Sequence, residues 1–528
     1  MSTKFAGSLL YNFALPPMPN VSVTILTKDS SKHIKKCLDS LALFEDVVVL
    51  DNGSTDSTTD IAQGYPNVRV FRSEFIGFGP LRNLAATYPK NDWILCVDSD
   101  EVVTPEFAQS VLGHRLRDDQ VGTVLRLNHY HGRMINGCGW QNDISHRLYN
   151  RTVTSWGEHQ VHEAVNPAAG GTVMLKGNLL HFPFENADDL AKKGEHYSTL
   201  YAEQNRLKKR SSRLRASISG ASAFIRSYIR KGGLLYGRDG LEISRSIATG
   251  ARQKYLKLID ANKTLTTTLI ISTYNSADVL NVVLNSVSDQ SEMPDEIVIA
   301  DDGSTDHTQE IVDAFSERCP VPVVHKWQEN RGFRSSRLKN MGLAAASGEY
   351  IILLDGDMLL HKDFIRDHKR WALKGYFLQG SRVWLKEKDV DELIAHPDKK
   401  LPSILSLGNP FNAIHSDLLS HLFSRRDATL RGTKSCNLSF FREDCYRING
   451  FDESFEGWGR EDTDFAVRLM NSGVKRRNLR FAGVAYHLSH PVRSRDRLSQ
   501  NEELLQKSIE EKATYRENGL VKGQAASR

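Results

Sequence analysis

The chain has 528 residues and a mass of 59.4 kDa, too long for one ordinary core, so two or three domains are expected. Hydrophobic residues make up 40% and charged residues 25%, which excludes extended disorder as the main state. The net charge is only +5, yet Arg206 to Lys257 holds 14 Lys+Arg against 2 acidic residues, a local +12 that leaves −7 for the rest.

The opening MSTKFAGSLLYNF lacks a charged region followed by a long apolar stretch, so no signal peptide is expected. No apolar run is long enough to span a bilayer. Six cysteines without CxxC pairing argue against a zinc site or a disulfide framework and favour a reducing compartment.

In chain order, a β-branched run at Val21 to Leu26 predicts a buried strand, and Ile34, Leu38 and Leu41 predict a helix. VVVLDNGSTD follows, a strand ending in Asp51, with Asp56 placed to meet the free N–H groups of the next helix. Arg82 and Asn83 come after GFGP. WILCVDSDEVV then reads as a strand ending in Asp98-Ser99-Asp100. GWQNDISHRLYN, VHEAV and LLHFPF complete this half and contain Asp143, Glu163 and His181. From Ile218 to Lys231 the apolar residues Ile218, Ala221, Phe224, Ile225, Tyr228 and Ile229 fall on one helical arc, with Arg226, Arg230 and Lys231 outside it, before Gly232-Gly233 breaks the pattern.

The chain then repeats itself. Leu269 to Ser272 is again a strand, and Val279, Val283 and Val287 again mark a helix. IVIADDGSTD ends a strand at Asp301; Arg337, Lys339 and Asn340 stand where Arg82 and Asn83 stood; YIILLDGD ends at Asp355-Gly356-Asp357. GWGREDTDF brings Trp458, Glu461 and Asp462, AYHLSHP brings His487, and a last helix is expected near Asn501 to Tyr515. Strands alternating with helices predict an α/β fold with a mostly parallel sheet in each copy, and in such sheets ligands bind beyond the carboxyl ends of the strands.

Two aspartates one residue apart at such an end suit Mg²⁺ or Mn²⁺, ions that commonly share their shell with substrate phosphates. A lone Asp-x-Asp is weak evidence, but here it recurs at matching strand ends. Asp51 and Asp301 could accept from a base or ribose, and together these residues predict a nucleotide diphosphate site. His181 and His487 are candidate further metal ligands. Arg82 and Arg337 could touch the diphosphate, or could lie on a solvated helix face. Trp458 between two glycines suits sugar stacking. Asp462 or Glu461 could act as general base, with helix N-terminal charge stabilisation as the alternative. In the first copy Glu163, or else Asp143, could take that role.

On these motifs both copies resemble family 2 glycosyltransferases of the GT-A fold. The resemblance implies inverting transfer from a nucleotide-activated sugar with bound Mn²⁺ or Mg²⁺. It places Asp51 and Asp301 at uracil, and Asp98, Asp100, Asp355 and Asp357 at ribose, diphosphate and metal. DSDEVVTPEF, VHE, LLHFPF, HYSTLYAEQ and FIRSYIRKGGLLYGRDGL make the first copy similar to lipopolysaccharide inner-core β-glucosyltransferases, which implies glucose transfer from UDP-glucose to a core heptose. The Gly-Trp-Gly-x-Glu-Asp segment makes the second similar to galactosyltransferases and chondroitin-type polymerases, with Asp462 at the base position. The expected layout is a transferase domain at 1–205, a basic helical connector at 206–262, a second transferase domain at 263–492 and a charged helical tail at 493–528. The expected partners are UDP-sugars, a lipid-linked or lipopolysaccharide core acceptor and an anionic membrane surface, at the inner face of the cytoplasmic membrane. A processive polysaccharide polymerase and a nucleotide-sugar-binding scaffold with one inactive domain are the alternatives. Nucleic acid is not expected, because the basic stretch lacks a recognisable binding module.

Overall fold

The computed structural model describes residues 20–157, 165, 169–396, 407–427, 429–430, 432–489 and 495–522. By its contacts the chain divides into two compact units. The first comprises Met1–Ala202 with Ser211–Lys257, the second Glu203–Arg210 with Leu258–Arg528. Residues 211–257, expected as part of a separate connector, thus group with the first unit.

The first unit is built on strands β1 (Val21–Thr27), β2 (Val47–Asp51), β3 (Val68–Arg72), β4 (Trp93–Asp98), β5 (Glu101–Val103), β6 (Val121–Tyr130), β7 (Arg133–Met134), β8 (Asp143–Asn150) and β9 (Thr172–Phe184). They form one sheet in the order β3-β2-β1-β4-β8-β6-β9-β5, with β7 on β6. The β3-β2-β1-β4 half is parallel. Helices cover it, so β1 and β2 are buried along nearly their whole length, β2 as a continuous apolar run and β1 as a β-branched one. Val23, Ile25, Val49, Leu95 and Val97 pack there with Leu38, Leu41 and Phe107. Each fully buried aliphatic side chain of this kind contributes roughly 1.5–3 kcal/mol.

The second unit repeats the plan with β10 (Thr267–Thr273), β11 (Glu296–Asp301), β12 (Val323–Trp327), β13 (Tyr350–Asp355), β14 (Met358–Leu360), β15 (Tyr376–Gln379), β16 (Ser381–Trp384), β17 (Arg425–Asp427), β18 (Asn437–Phe441), β19 (Lys475–Asn478) and β20 (Val484–His487). Its main sheet runs β12-β11-β10-β13-β18-β15-β19-β17, and β14-β20-β16 form a smaller one. Side chains alternate across the main sheet. Ile271, Ile299 and Ile352 pack with Leu280, Val283 and Phe315, whereas Ile270, Val298 and Ile351 pack with Leu338, Phe440 and Phe465.

The strand order reverses at the first strand of each copy, because β1 lies between β2 and β4 and β10 between β11 and β13. This reversal opens a crevice at the carboxyl ends of the strands. Register places the acidic motifs around it. Thr27 pairs with Asp51 and Leu26 with Asp98; Thr273 pairs with Asp301 and Ser272 with Asp355. Both units are therefore mixed α/β sheets of the GT-A kind, a parallel half extended by antiparallel strands.

Candidate active sites

In each unit the Asp-x-Gly-Ser-Thr-Asp segment folds into the same turn. Asp51 accepts from the Ser54 N–H at 3.1 Å and from the Ser54 hydroxyl. Asp301 accepts from the Gly303 and Ser304 N–H groups at 3.1 and 2.8 Å, and His325 Nε2 lies 3.3 Å from its other oxygen. Asp56 and Asp306 accept from Thr58 and Thr308 N–H at the following helix. The turn thus closes on its own aspartates and fixes Asp51 and Asp301 at the strand ends.

In the first unit the two aspartates of Asp98-Ser99-Asp100 have different surroundings. Asp98 is paired with Arg82 at 2.8 Å and with Arg147 at 2.9 Å. Burial alone would raise its carboxyl, but the Arg147 and Arg82 guanidiniums hold it well below the usual carboxylate range. Asp100 faces His181, whose Nε2 is 3.5 Å away. His181 Nδ1 lies 2.5 Å from Asn128 Oδ1. The Asn128 amide nitrogen donates to Trp140 O and to Asp143, so Oδ1 must be the acceptor and Nδ1 carries the proton. Nε2 thus faces the Asp100 carboxylate, and a histidine anchored through its other ring nitrogen beside a carboxylate is a pair that could hold a divalent cation.

The sequence pattern alone misses Glu101 and Arg147. Glu101 is fully buried, accepts from the Asp98 N–H at 2.9 Å and pairs with Arg147 and, at 3.3 Å, with Arg126. Burial pushes its carboxyl up despite Arg147. Its position directly after the acidic pair was the available cue; no spacing pointed to Arg147 on β8. Asp143 is held by Arg126 at 2.8 Å and Asn128 at 3.0 Å, which ties it into this network. Glu163 lies outside the described residues.

In the second unit Asp355 accepts from the Ser272 hydroxyl at 3.1 Å, and Asp357 lies 3.5 Å from His487 Nε2. Burial and the neighbouring Asp357 charge raise the Asp355 carboxyl, with Lys339 opposing them. The cation at this site is Lys339. Arg337 is exposed on the helix Ser335–Ala345, two residues and so about 200° around the helix from the buried Lys339. Lys339 Nζ is 3.1 Å from Glu461, which also accepts from Ser335 at 3.1 Å.

Glu461 and Asp462 open the helix Glu461–Asn471. That helix is anchored by a buried Asp464–Arg468 pair at 2.8 Å, with Arg468 donating to the Ile448 and Gly450 carbonyls. The two carboxyls then diverge. Burial disfavours the Glu461 charge, but Lys339 and Ser335 hold its carboxyl below the usual value. Burial and the Glu461 charge push Asp462 up to about 6. The preceding loop has left-handed backbone at Gly457, Gly459 and Arg460, with φ of 70°, 105° and 77°. Trp458 stays partly exposed, with the Arg495 guanidinium 4.9 Å from its ring. What approaches the two glycines is Arg497 and Leu498 at the start of the last helix.

His361, Asp363 and His415 also come within ligand reach of one another. There Arg366 already pairs with Asp363 at 3.2 Å and Asp367 at 3.6 Å, so the protein supplies the cation itself.

The glycosyl transferase family 2 profile matches residues 22–172 and again 268–412, and a profile described as the N-terminal domain of galactosyltransferase matches residues 420–491. Chondroitin synthase of Pasteurella multocida (strain Pm70) is 27% identical over 261 residues, covering 46% of this chain and 26% of that protein. Validoxylamine A glucosyltransferase of Streptomyces hygroscopicus subsp. limoneus is 28% identical over 231 residues, 39% of this chain and 48% of that one. Hyaluronan synthase of Pasteurella multocida is 25% identical over 241 residues, 42% and 24%. The chain thus spans about a quarter to a half of the length of these relatives. Among solved structures, S. aureus TarS aligns with a TM-score of 0.34 at 18% identity, covering 46% of this chain and 40% of that one. A mannosyltransferase from Pyrobaculum calidifontis, in complex with GDP-Man and Mn²⁺, aligns with a TM-score of 0.34 at 21% identity, covering 47% and 64%.

Proposed function

The chain belongs to glycosyl transferase family 2, and from that membership we propose that each of its two units transfers a hexose from a UDP-sugar with inversion at the anomeric carbon. The observation that carries this is Lys339. Its buried ammonium group pairs with Glu461 at 3.1 Å and interacts with the Asp355 and Asp462 charges as well, which gathers the donor-side carboxylate and the candidate base around one cation.

In the second unit Asp462 takes the proton from the acceptor hydroxyl. The hydroxyl oxygen bonds to the anomeric carbon in line, while the bond from that carbon to the diphosphate oxygen breaks and UDP leaves with its electron pair. Lys339 holds Glu461 ionised, and the Glu461 charge keeps Asp462 basic enough to accept the proton. Asp357 and His487, with Asp355, would hold Mg²⁺ or Mn²⁺; when bound, the ion supplies positive charge against the departing diphosphate. In the first unit Asp100 and His181 would hold the ion beside Asp98, whose two arginines place it toward the donor. With Asp143 committed to Arg126, Glu163 is the base we assign there.

The first unit is proposed to add glucose to a heptose of a lipopolysaccharide inner core, on the residues that resemble the inner-core β-glucosyltransferases. The second unit adds another hexose. The similarity to chondroitin and hyaluronan synthases favours a second reading, a polysaccharide polymerase using two donors.

Product mass separates these readings. With a lipid-linked core acceptor and UDP-sugars, the native enzyme is expected to add two hexoses and Asp357→Ala only one. Loss of both additions in Asp357→Ala would overturn the two-site proposal, and a ladder of long products would replace it with the polymerase.

A further inference from the structure

A water-facing helix ordinarily turns its bulky apolar residues inward and its polar ones outward. The helix Arg213–Phe224 and the wide π turn Ile225–Arg230 that continues it instead leave their bulky aliphatic residues outside beside the charged ones. Their inward side is made of small residues: Ala216, Gly220, Ala223 and Ser227 are all buried. A Cβ added at Gly220 would come within 3.1 Å of Arg252 Cβ and 3.2 Å of the Ala248 carbonyl, so this side lies close against the helix Gly237–Lys263. Ser227 completes the contact with bonds to Ser244 at 2.8 Å and to the Cys138 carbonyl at 2.9 Å.

The bulky residues are left outside. Leu214, Ile218, Ile225 and Ile229 are 71%, 60%, 51% and 63% exposed, and their spacing of four, seven and four residues puts them on one stripe. After Gly232 the short 3-10 turn Gly233–Tyr236 adds Leu234 and Leu235, exposed by 62% and 78%. Arg213, Arg226, Arg230 and Lys231 are exposed around this face, and no Asp or Glu occurs between Ser211 and Arg238. No helix among the described residues is long and apolar enough to cross a membrane.

We infer that this outward face is a docking surface for an anionic lipid bilayer, lying in the plane of the headgroups with its aliphatic residues among the acyl chains. Single-sign charge around an aliphatic stripe matches a negatively charged, apolar-cored surface, and the small-residue side leaves the bulky face fully available to it. The inference stands apart from the transfer chemistry, because none of these residues belongs to either candidate active site.

Flotation of the full-length protein with vesicles of phosphatidylcholine, with and without phosphatidylglycerol, tests it. The native protein is expected to float with the anionic vesicles and to be released as salt rises. The Ile225→Ser/Ile229→Ser and Arg226→Glu/Arg230→Glu pairs should each weaken binding by about tenfold or more, with unchanged circular dichroism and unchanged transfer to a soluble acceptor. Three results would overturn it: a native protein that floats with neither vesicle, variants that float as well as the native protein, or an oligomer that the isoleucine pair converts to monomer, which would assign the face to a second copy of the chain.

Discussion

Arg82 and Lys339 stand 257 residues apart, the interval that also separates Asp98 from Asp355. Each places a cation at the first aspartate of its acidic pair, and the shared interval identifies Lys339, rather than Arg337, as the counterpart of Arg82. The second unit couples that cation to an adjacent Glu-Asp pair, and this sets a pH dependence. Burial and the Glu461 charge push Asp462 up to about 6, and it must be unprotonated to accept the acceptor proton. Below that pH the protonated fraction grows, so kcat/KM for the second transfer is expected to fall about tenfold per pH unit. Above it the base is fully available and this limb is flat. Asp462→Asn should remove the limb together with about 10²–10⁴-fold of the rate, while the first transfer keeps its own profile. A pH–rate series that shows the same limb in Asp462→Asn would assign the titration elsewhere.

Among the elements, the parallel strands were the most legible. β2, β4 and their second-unit counterparts β11 and β13 are buried on both faces and read as apolar runs closed by an aspartate, while β1 and β10 are β-branched runs ending in threonine. The antiparallel strands were not. β6 (VGTVLRLNHY) and β8 (DISHRLYN) carry Arg126, Asn128 and Arg147 to the acidic network, so neither alternation nor an apolar run marks them. The amphipathic segment was visible as a period, but periodicity does not say which face is inside. A stripe of Ala, Gly and Ser can be the buried one when a neighbouring helix approaches closely. The final helix, Leu498–Glu510, was legible as an element but not in its role. Buried Asn501 donates to the Glu456 carbonyl at 3.0 Å and the Gly459 carbonyl at 2.9 Å, which secures the left-handed loop that carries Trp458. Asn501→Ala leaves two carbonyls without this donor and is expected to cost about 1–3 kcal/mol of stability. Because the loop precedes Glu461, the KM of the second transfer should rise while the first transfer is unchanged, as steady-state kinetics on each donor would show.

At the scale of the whole molecule, one plan of strand order and register is executed twice with different side chains. The acidic pairs and the histidine that follows each were readable because they recur, whereas the Glu101–Arg147–Arg126 network was not, because it occurs once. Since each unit has its own Asp–His pair, chelation with EDTA is expected to abolish both transfers, and added Mn²⁺ or Mg²⁺ to restore both. Retention of the first transfer in EDTA would mean that Arg82 and Arg147 suffice for the diphosphate there.

The single occurrence of that network also bears on how such a gene persists. Two halves this alike in plan invite recombination between them, which would collapse the pair into one hybrid domain. Continuing the strand registers, the place of Arg147 beside β4 falls to Leu438 beside β13, and the place of Glu101 falls to Met358. A hybrid that joined the first half's Glu101 to the second half's Leu438 would bury a carboxylate without the Arg147 guanidinium, and the opposite joint would set that guanidinium beside methionine with only the first aspartate of the acidic pair as partner. An ion pair broken in this way costs about 3–5 kcal/mol, a large part of a domain's stability. The divergence of one buried pair thus makes each half a poor source of spare parts for the other.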